Sequence, residues 1–285
     1  MRLGIQLGIG LVVSAAIGAG GYAKGALARS GVIGAMLVGT AIFGFGGWVW
    51  GMVLITFFVL SSALSTYKAS LKENLSEKFA KGSRRDLGQT LANGGLGALI
   101  ALLAWGLQDA TLLAAFVGAM ATVNADTWAT ELGVLSQRPP RLITTGKIVE
   151  PGTSGGVSRL GTLATLAGGA SIGLAAALFL GIDGALGGAG FTRVTATGWS
   201  GALGLTLAAT VGGLAGSLLD SLLGATVQAI YYSHGRTKET EKPIDPDGTP
   251  NEHLRGWAWL TNDWVNFISS GLGALVAMGL SQIVW

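Results

Sequence analysis

The sequence predicts an all-α polytopic membrane protein from three features: apolar runs long enough to span a bilayer, a charged fraction of only 12%, and 48 glycines among 285 residues. With half of its residues hydrophobic and a mean hydropathy of +0.56, the chain has too little polar surface to coat a soluble globule of this size. Small residues let helices approach closely in lipid, so runs such as "LGIQLGIGLVVSAAIGAGG", poor helix formers in water, are ordinary there. The absence of cysteine excludes disulfides, thiolate nucleophiles and Cys-ligated metal or iron-sulfur sites. His234 and His253 are the two histidines, which argues against a histidine-rich metal site. A metal in this chain is expected to be a hard cation held by oxygen, such as Mg²⁺.

A spanning helix needs about 20 mostly apolar residues. Eight segments qualify, at 3–20, 31–47, 48–67, 87–106, 111–136, 158–182, 199–231 and 262–285. The second is short, and the break at "GFGGW" predicts a tight hairpin between the second and third. The seventh is long enough to be kinked or broken near Gly212, Gly213 and Gly216. The whole chain is expected to form one integral membrane domain, with three N-terminal helices over 1–67, a motif-bearing core over 84–266 and the end of the last helix over 267–285.

Basic residues orient such a chain, because Lys and Arg concentrate in cytoplasmic loops. The connections after the first, third, fifth and seventh segments hold 16 of the 18 basic residues, and only Arg2 and Arg193 fall on the other side. Both termini are therefore expected outside, and the net charge of +3 reads as a topology signal with no nucleic-acid partner implied. Arg2 ahead of an apolar run also has the form of a signal peptide, but Lys24 and Arg29 directly behind the run hold that end inside. No Arg- and Ser-rich amphipathic extension precedes it, so the expected home is a prokaryotic plasma membrane.

This threading gathers the intramembrane polar residues at one leaflet. The fourth segment begins with "RRDLGQTLANGG", where Arg85, Gln89 and Asn93 recur every four residues and Asp86 lies on that general face. The fifth ends in "NADTWATELG", with Asn124, Asp126, Thr127 and Glu131. In the seventh, "GSLLDSLLGATVQ" sets Gly213, Ser217, Asp220, Gly224 and Gln228 in one stripe at helical spacing, with Ser221 beside it. The eighth opens with "WLTNDWVNF", carrying Asn262, Asp263 and Asn266.

Intramembrane Asn, Gln, Thr and Ser often do no more than bond neighbouring helices, at about 0.6 kcal/mol each. A buried carboxylate is different, because it needs a cation or a proton. Asp126, Glu131, Asp220 and Asp263 are accordingly the candidate metal-binding and catalytic groups. Asp126 and Glu131 are five residues apart, about 140° around an ideal helix, so they are expected to serve different neighbours unless the helix is distorted.

The loop "RPPRLITTGKIVEPGTSGGVSRLGTL" carries Thr153, Ser154, Gly155, Gly156 and Ser158 where the sixth helix should start. Free backbone amides at a helix N-terminus bind anions, and glycines allow a phosphate to approach. Arg141, Lys147 and Arg159 supply opposing charge, although the motif is weaker than a Walker A loop and alone would read as a flexible turn. Of the other loops, "KASLKENLSEKFAKGSRRD" reads as a solvated amphipathic helix on the membrane surface, and the loop from His234 to Gly256 as polar, with turn signals at Pro246, Asp247 and Gly248. Its Asp245, Asp247 and Glu252 lack EF-hand spacing.

Taken in order from Arg84 to Asn266, these motifs resemble the transmembrane-protein-19 family, which includes a plant phytyl-phosphate kinase. The matched positions are Arg85, Asp86, Gln89 and Asn93, then Asp126, Thr127 and Glu131, then Gly155, Gly156 and Ser158, then Asp220 and Gln228, and finally Asn262, Asp263 and Asn266. Thr130 stands where the family commonly has serine, and the first three segments match only in hydrophobicity. The resemblance implies a membrane enzyme that phosphorylates an isoprenyl monophosphate to the diphosphate, with CTP or another nucleoside triphosphate as donor. The helix carboxylates would hold Mg²⁺, the glycine loop and basic residues the phosphates, and an apolar groove the prenyl chain. Two rival functions use similar parts: a CTP-dependent lipid cytidylyltransferase, and a transporter of a phosphorylated lipid or cation.

Overall fold

The computed structural model describes residues 3–68, 84–187, 198–245 and 247–284. Among the described residues eight helical spans are long and apolar enough to cross a membrane, the second of them, Arg29–Gly46, being an α-helix continued by a π-helical turn. They are α1 (Leu3–Ala23), α2 (Arg29–Ala41), α3 (Trp48–Thr66), α4 (Leu87–Leu107), α5 (Thr111–Gly133), α6 (Arg159–Ala185), α7 (Gly198–Thr226) and α8 (Asn262–Val284). Because the spans alternate, the connections α1–α2, α3–α4, α5–α6 and α7–α8 share one end of the bundle, here called the loop face. The surface helix expected around residues 69–83 lies outside the described residues, as do Arg193 and Pro246.

The core is built around α5. Every residue from Leu113 to Ala125 is buried, and the helix packs against α3, α4, α6, α7 and α8. Its alanines and Gly118 make this possible: a Cβ on Gly118 would stand 2.5 Å from the carbonyl oxygen of Gly273 on α8. On the α3 side the rings of Trp50 and Phe116 stack at 4.4 Å. Asn124, fully buried, accepts from Ser61 Oγ at 3.2 Å and donates to Gly168 O at 2.8 Å and Ser171 Oγ at 3.1 Å. Its amide ties α3, α5 and α6 together, the packing role such a group commonly has in a membrane.

Between α2 and α3 the chain makes the expected tight turn. A π-helical turn over Ile42–Gly46 leads to Gly47, whose φ of +85° suits a residue without Cβ. By contrast, α7 is not broken at its glycines. It runs as one helix, and the glycines serve close approach: a Cβ on Gly212 would lie 2.7 Å from Gly273 O, and one on Gly216 2.8 Å from Ser269 O.

Three further expectations are corrected by the structure. α7 ends at Thr226, so Gln228 is off the helical stripe; the amides of Val227 and Gln228 both turn back to Leu223 O at 2.9 Å. Arg85 precedes α4, because Asp86 is the N-cap and forms a capping box with Gln89: Gln89 N donates to Asp86 Oδ1 at 2.9 Å and Asp86 N to Gln89 Oε1 at 3.1 Å. The polar loop after α7 is folded into an antiparallel sheet of β3 (Ile230–Ser233), β4 (Lys238–Thr240) and β5 (Glu252–Arg255), in the order β4-β3-β5. Here "IYYS" is β-branched and aromatic, which suits a pleated surface better than another helical turn. A shorter pair, β1 (Arg141–Leu142) and β2 (Gly156–Val157), shapes the α5–α6 connection.

Candidate functional site

At the loop face, the ends of α5 and α7 and the starts of α6 and α8 surround a pocket of about 1000 Å³. Asp126 enters it one residue past the buried stretch of α5 and accepts a hydrogen bond from Ser217 Oγ at 3.4 Å. Asp220 lies three residues beyond Ser217 on α7 and lines the same pocket, together with Ser221, Thr130 and Asn262. Its Oδ2 is buried and makes no hydrogen bond of ordinary length; Ser269 Oγ on α8 faces the carboxylate from beyond that range and is buried without another partner. A buried carboxylate oxygen without a donor is costly unless a proton or cation joins it.

The floor of the pocket is the segment from Gly152 to Ser158. It lies flush on the end of α7, and Gly155 is required there twice. Its φ is +81°, and an added Cβ would stand 2.6 Å from Ala225 N. Ser158 caps α6, accepting from Gly161 N at 3.0 Å, while Gly156 N donates within the loop to Thr153 O at 2.9 Å. Ser154 Oγ donates to Gln228 Oε1 at 3.1 Å, and Gln228 Nε2 donates to Glu241 Oε1 at 2.7 Å. This relay joins the glycine loop, the end of α7 and the β3–β4–β5 sheet. Arg255 closes α7 by donating to Gly224 O at 3.0 Å, a cation at the negative end of a helix.

Sequence reading missed Glu241. It lines the pocket as a third carboxylate, but it sits in a polar loop with no periodic signal and is brought there only by the sheet.

The remaining candidate residues are spread more widely. Glu131 projects its charge toward Arg85, away from the Asp126 pocket, as five-residue spacing on a helix requires. Asp263 is in the first turn of α8 but does not line the pocket, and Asn266 Nδ2 donates to Asn93 Oδ1 at 3.3 Å. Thr127 bonds back to Val123 O at 2.8 Å. Arg141, which donates to Gly146 O at 2.8 Å, is exposed, as are Lys147 and Arg159, and none of the three lines the pocket. Arg85 and Asn93 line a separate cleft among α1 to α4.

Among the described residues, three carboxylates and no lysine or arginine line the pocket, so it is an acidic site suited to a cation. Among the described residues no three His, Asp or Glu side chains form a complete metal cage. That donor set fits Mg²⁺, which is typically held by one or two carboxylates with phosphate oxygens and water completing its shell. Asp220, with its unbonded oxygen, and Asp126 are the two that fit.

The fold and site thus define a multi-pass membrane protein with an acidic, glycine-floored pocket at one end of its bundle. The chain belongs to the family of integral membrane proteins DUF92, whose model matches residues 12–274. Protein PGR of Arabidopsis thaliana is 35% identical over 275 residues, covering 91% of this chain and 90% of that protein. The uncharacterized membrane protein MJ0933 of Methanocaldococcus jannaschii is 34% identical over 200 residues, covering 70% and 74%. Protein VTE6, chloroplastic, of Arabidopsis thaliana is 28% identical over 263 residues, covering 90% and 66%. No solved structure matches the chain.

Proposed function

We propose that the pocket transfers a phosphoryl group from a nucleoside triphosphate to an isoprenyl monophosphate, giving the prenyl diphosphate. The observation that carries this reading is the pairing of Asp126 with Asp220, whose Oδ2 is buried and unbonded, above a glycine loop at the loop face. The family resemblance in the motifs supports the same substrate class.

Phosphoryl transfer asks a protein mainly for positioning and charge neutralisation. The phosphates of the nucleotide would lie along Gly152–Ser158, a segment with three glycines. Its nucleoside would occupy an adjoining cleft of about 930 Å³, which shares Gly152, Thr153, Ser154 and Glu241 with the pocket and offers Tyr232 and Lys238. Leu218 both lines the pocket and is 40% exposed on α7, so the acceptor's phosphate would enter beside it while the prenyl chain stays in the bilayer. Bound Mg²⁺ would neutralise charge on the phosphate oxygens, with Asp126 and Asp220 as its protein ligands.

In the reaction, an oxygen of the acceptor phosphate forms the new P–O bond to the γ-phosphorus. The bond from that phosphorus to the β–γ bridging oxygen breaks, and the nucleoside diphosphate leaves with the electron pair. The acceptor is already an anion, so none of these residues is needed as a strong base.

The 16 basic residues on one side motivate placing the pocket toward the cytoplasm of a prokaryotic cell, where nucleotides are supplied. The test is to incubate the purified protein in lipid with labelled CTP, ATP, GTP or UTP and with phytyl or geranylgeranyl monophosphate. A prenyl diphosphate in the mass spectrum is the expected product. A nucleotide-linked lipid with released pyrophosphate would assign cytidylyl transfer instead, and turnover with no nucleotide would overturn the reading.

A further inference from the structure

A second cleft, of about 700 Å³, lies among α1, α2, α3 and α4 and shares no lining residue with the acidic pocket. Its walls are apolar, with Ile17, Val38, Phe43, Leu54 and Ile55 among them. Arg85 also lines it. That side chain belongs to a residue only 8% exposed.

The backbone fixes Arg85 in place. Arg85 N donates to Ala26 O at 3.0 Å and Ala28 N donates to Arg85 O at 2.9 Å, so the residue is clamped to the α1–α2 turn. A Cβ on Gly31 would stand 2.1 Å from Arg85 O, which shows how closely α2 rides over it. A guanidinium has five N–H donors. Among the described residues the one side-chain hydrogen bond of Arg85 goes to Ser62 Oγ at 3.1 Å, and its charge stands 6.0 Å from the ring centroid of Phe58. Glu131 contributes negative potential from the end of α5. Beside Arg85, Asn93 has its oxygen occupied by Asn266, which leaves its amide N–H groups as donors toward the cleft.

An apolar slot ending in a buried cation and an amide donor is complementary to an amphiphile with an anionic head. From the level of Gly31, where Arg85 sits, to Phe43 is 12 residues of helix, or about 18 Å along the slot. We propose that this cleft binds a single-chain lipid with a terminal phosphate, the head on Arg85 and Asn93 and the tail between α1, α2 and α3. A two-chain phospholipid has a second tail that the slot does not provide for. The site is distinct from the proposed transfer pocket and stands or falls independently of it.

The test uses purified protein in detergent and tetradecyl phosphate with a diazirine at the chain end. Irradiation is expected to label peptides of α2 and α3 around Phe43 and Leu54. Unlabelled tetradecyl phosphate should compete at least tenfold better than tetradecanol, inorganic phosphate or dipalmitoyl phosphatidate. Arg85→Gln should reduce labelling at least tenfold at sub-saturating probe, Arg85→Lys should restore part of it, and Asp220→Asn should label like wild type. Because loss of Arg85 could prevent folding, Ile55→Trp provides a second route: it fills the slot, and a monodisperse Ile55→Trp protein should lose the label. Labelling centred on α6 and α7, equal competition by tetradecanol or by phosphatidate, or undiminished labelling of Ile55→Trp would each overturn the proposal.

Discussion

The two clefts of this bundle differ in the sign of what they bury. Between α1 and α4 the walls are apolar and the buried ionic group is a cation, Arg85; between α5 and α8 the walls are half backbone and hydroxyl, and the ionic groups are Asp126, Asp220 and Glu241. A charge removed from water is tolerated only with a complementary partner. With Glu131 supplying part of the counter-charge to Arg85, the first cleft suits the proposed anionic head on an apolar tail, and the second suits the proposed cation able to carry phosphates. Under the proposed function the difference also separates the work of the two halves, since phosphoryl transfer would use the loops and helix ends gathered around the α5–α8 pocket.

The largest expected effect tests the acidic side. Asp126→Asn and Asp220→Asn keep shape but remove charge, and each should lower turnover at least about a hundredfold, or roughly 2.7 kcal/mol of barrier. Melting in EDTA should show both variants as stable as wild type or more so, because an unpartnered buried carboxylate is costly. Near-normal turnover in both would remove the metal assignment. Arg85→Gln should spare the donor site, so the two clefts predict opposite patterns across the same three variants.

Ligand binding gives an effect of similar size. A nucleoside triphosphate with Mg²⁺ at a hundred times its dissociation constant should stabilise the folded protein by about 2.7 kcal/mol, and EDTA should abolish the shift. Arg85→Gln should retain that shift and Asp220→Asn should lose it. Equal loss in both would mean that the clefts are one coupled site.

Gly155→Ala is a smaller test of how the floor is built. The positive φ and the contact with Ala225 should cost about 1–3 kcal/mol, read as a lowered melting temperature. Gly20→Ala is its control, because a Cβ there meets nothing within 4 Å on a helix.

The smallest effect is in the sheet beside the pocket. Asp245 accepts from Ser233 Oγ at 2.5 Å and Asn251 Nδ2 at 2.9 Å and is paired with Arg236, and these contacts hold its carboxyl down at about 2. A carboxyl whose folded value lies below its unfolded one stabilises fully above the unfolded value, near 3.8, and loses that contribution as the pH falls toward 2. Wild type and Asp245→Asn should therefore differ in melting temperature at pH 5 to 7 and converge between pH 4 and pH 2. A constant gap down to pH 2 would mean that the carboxylate charge does not matter there.

What the sequence by itself determined is whatever depends on neighbours along the chain. Hydropathy over about 20 residues is a local property, so eight spans were legible, and α4 and α6 begin within a residue or two of where the runs predicted. The same local contrast marked Asp126 and Asp220, since a carboxylate inside an apolar run is expensive wherever the run packs. Helical periodicity even separated Asp126 from Glu131. Tertiary structure decided what depends on approach between distant segments. Only folding of the polar loop after α7 into a sheet brings Glu241 to the pocket and bonds Gln228 to it. The glycines of α7 could equally have broken the helix, and the carbonyls of α8 pressed against them are what made them packing surfaces. Arg85, which a four-residue repeat put on a helix, was taken off it by the Asp86 cap and clamped beside an apolar cleft. In each case the deciding contact joins residues far apart in the chain, and no local pattern encodes which one will arrive.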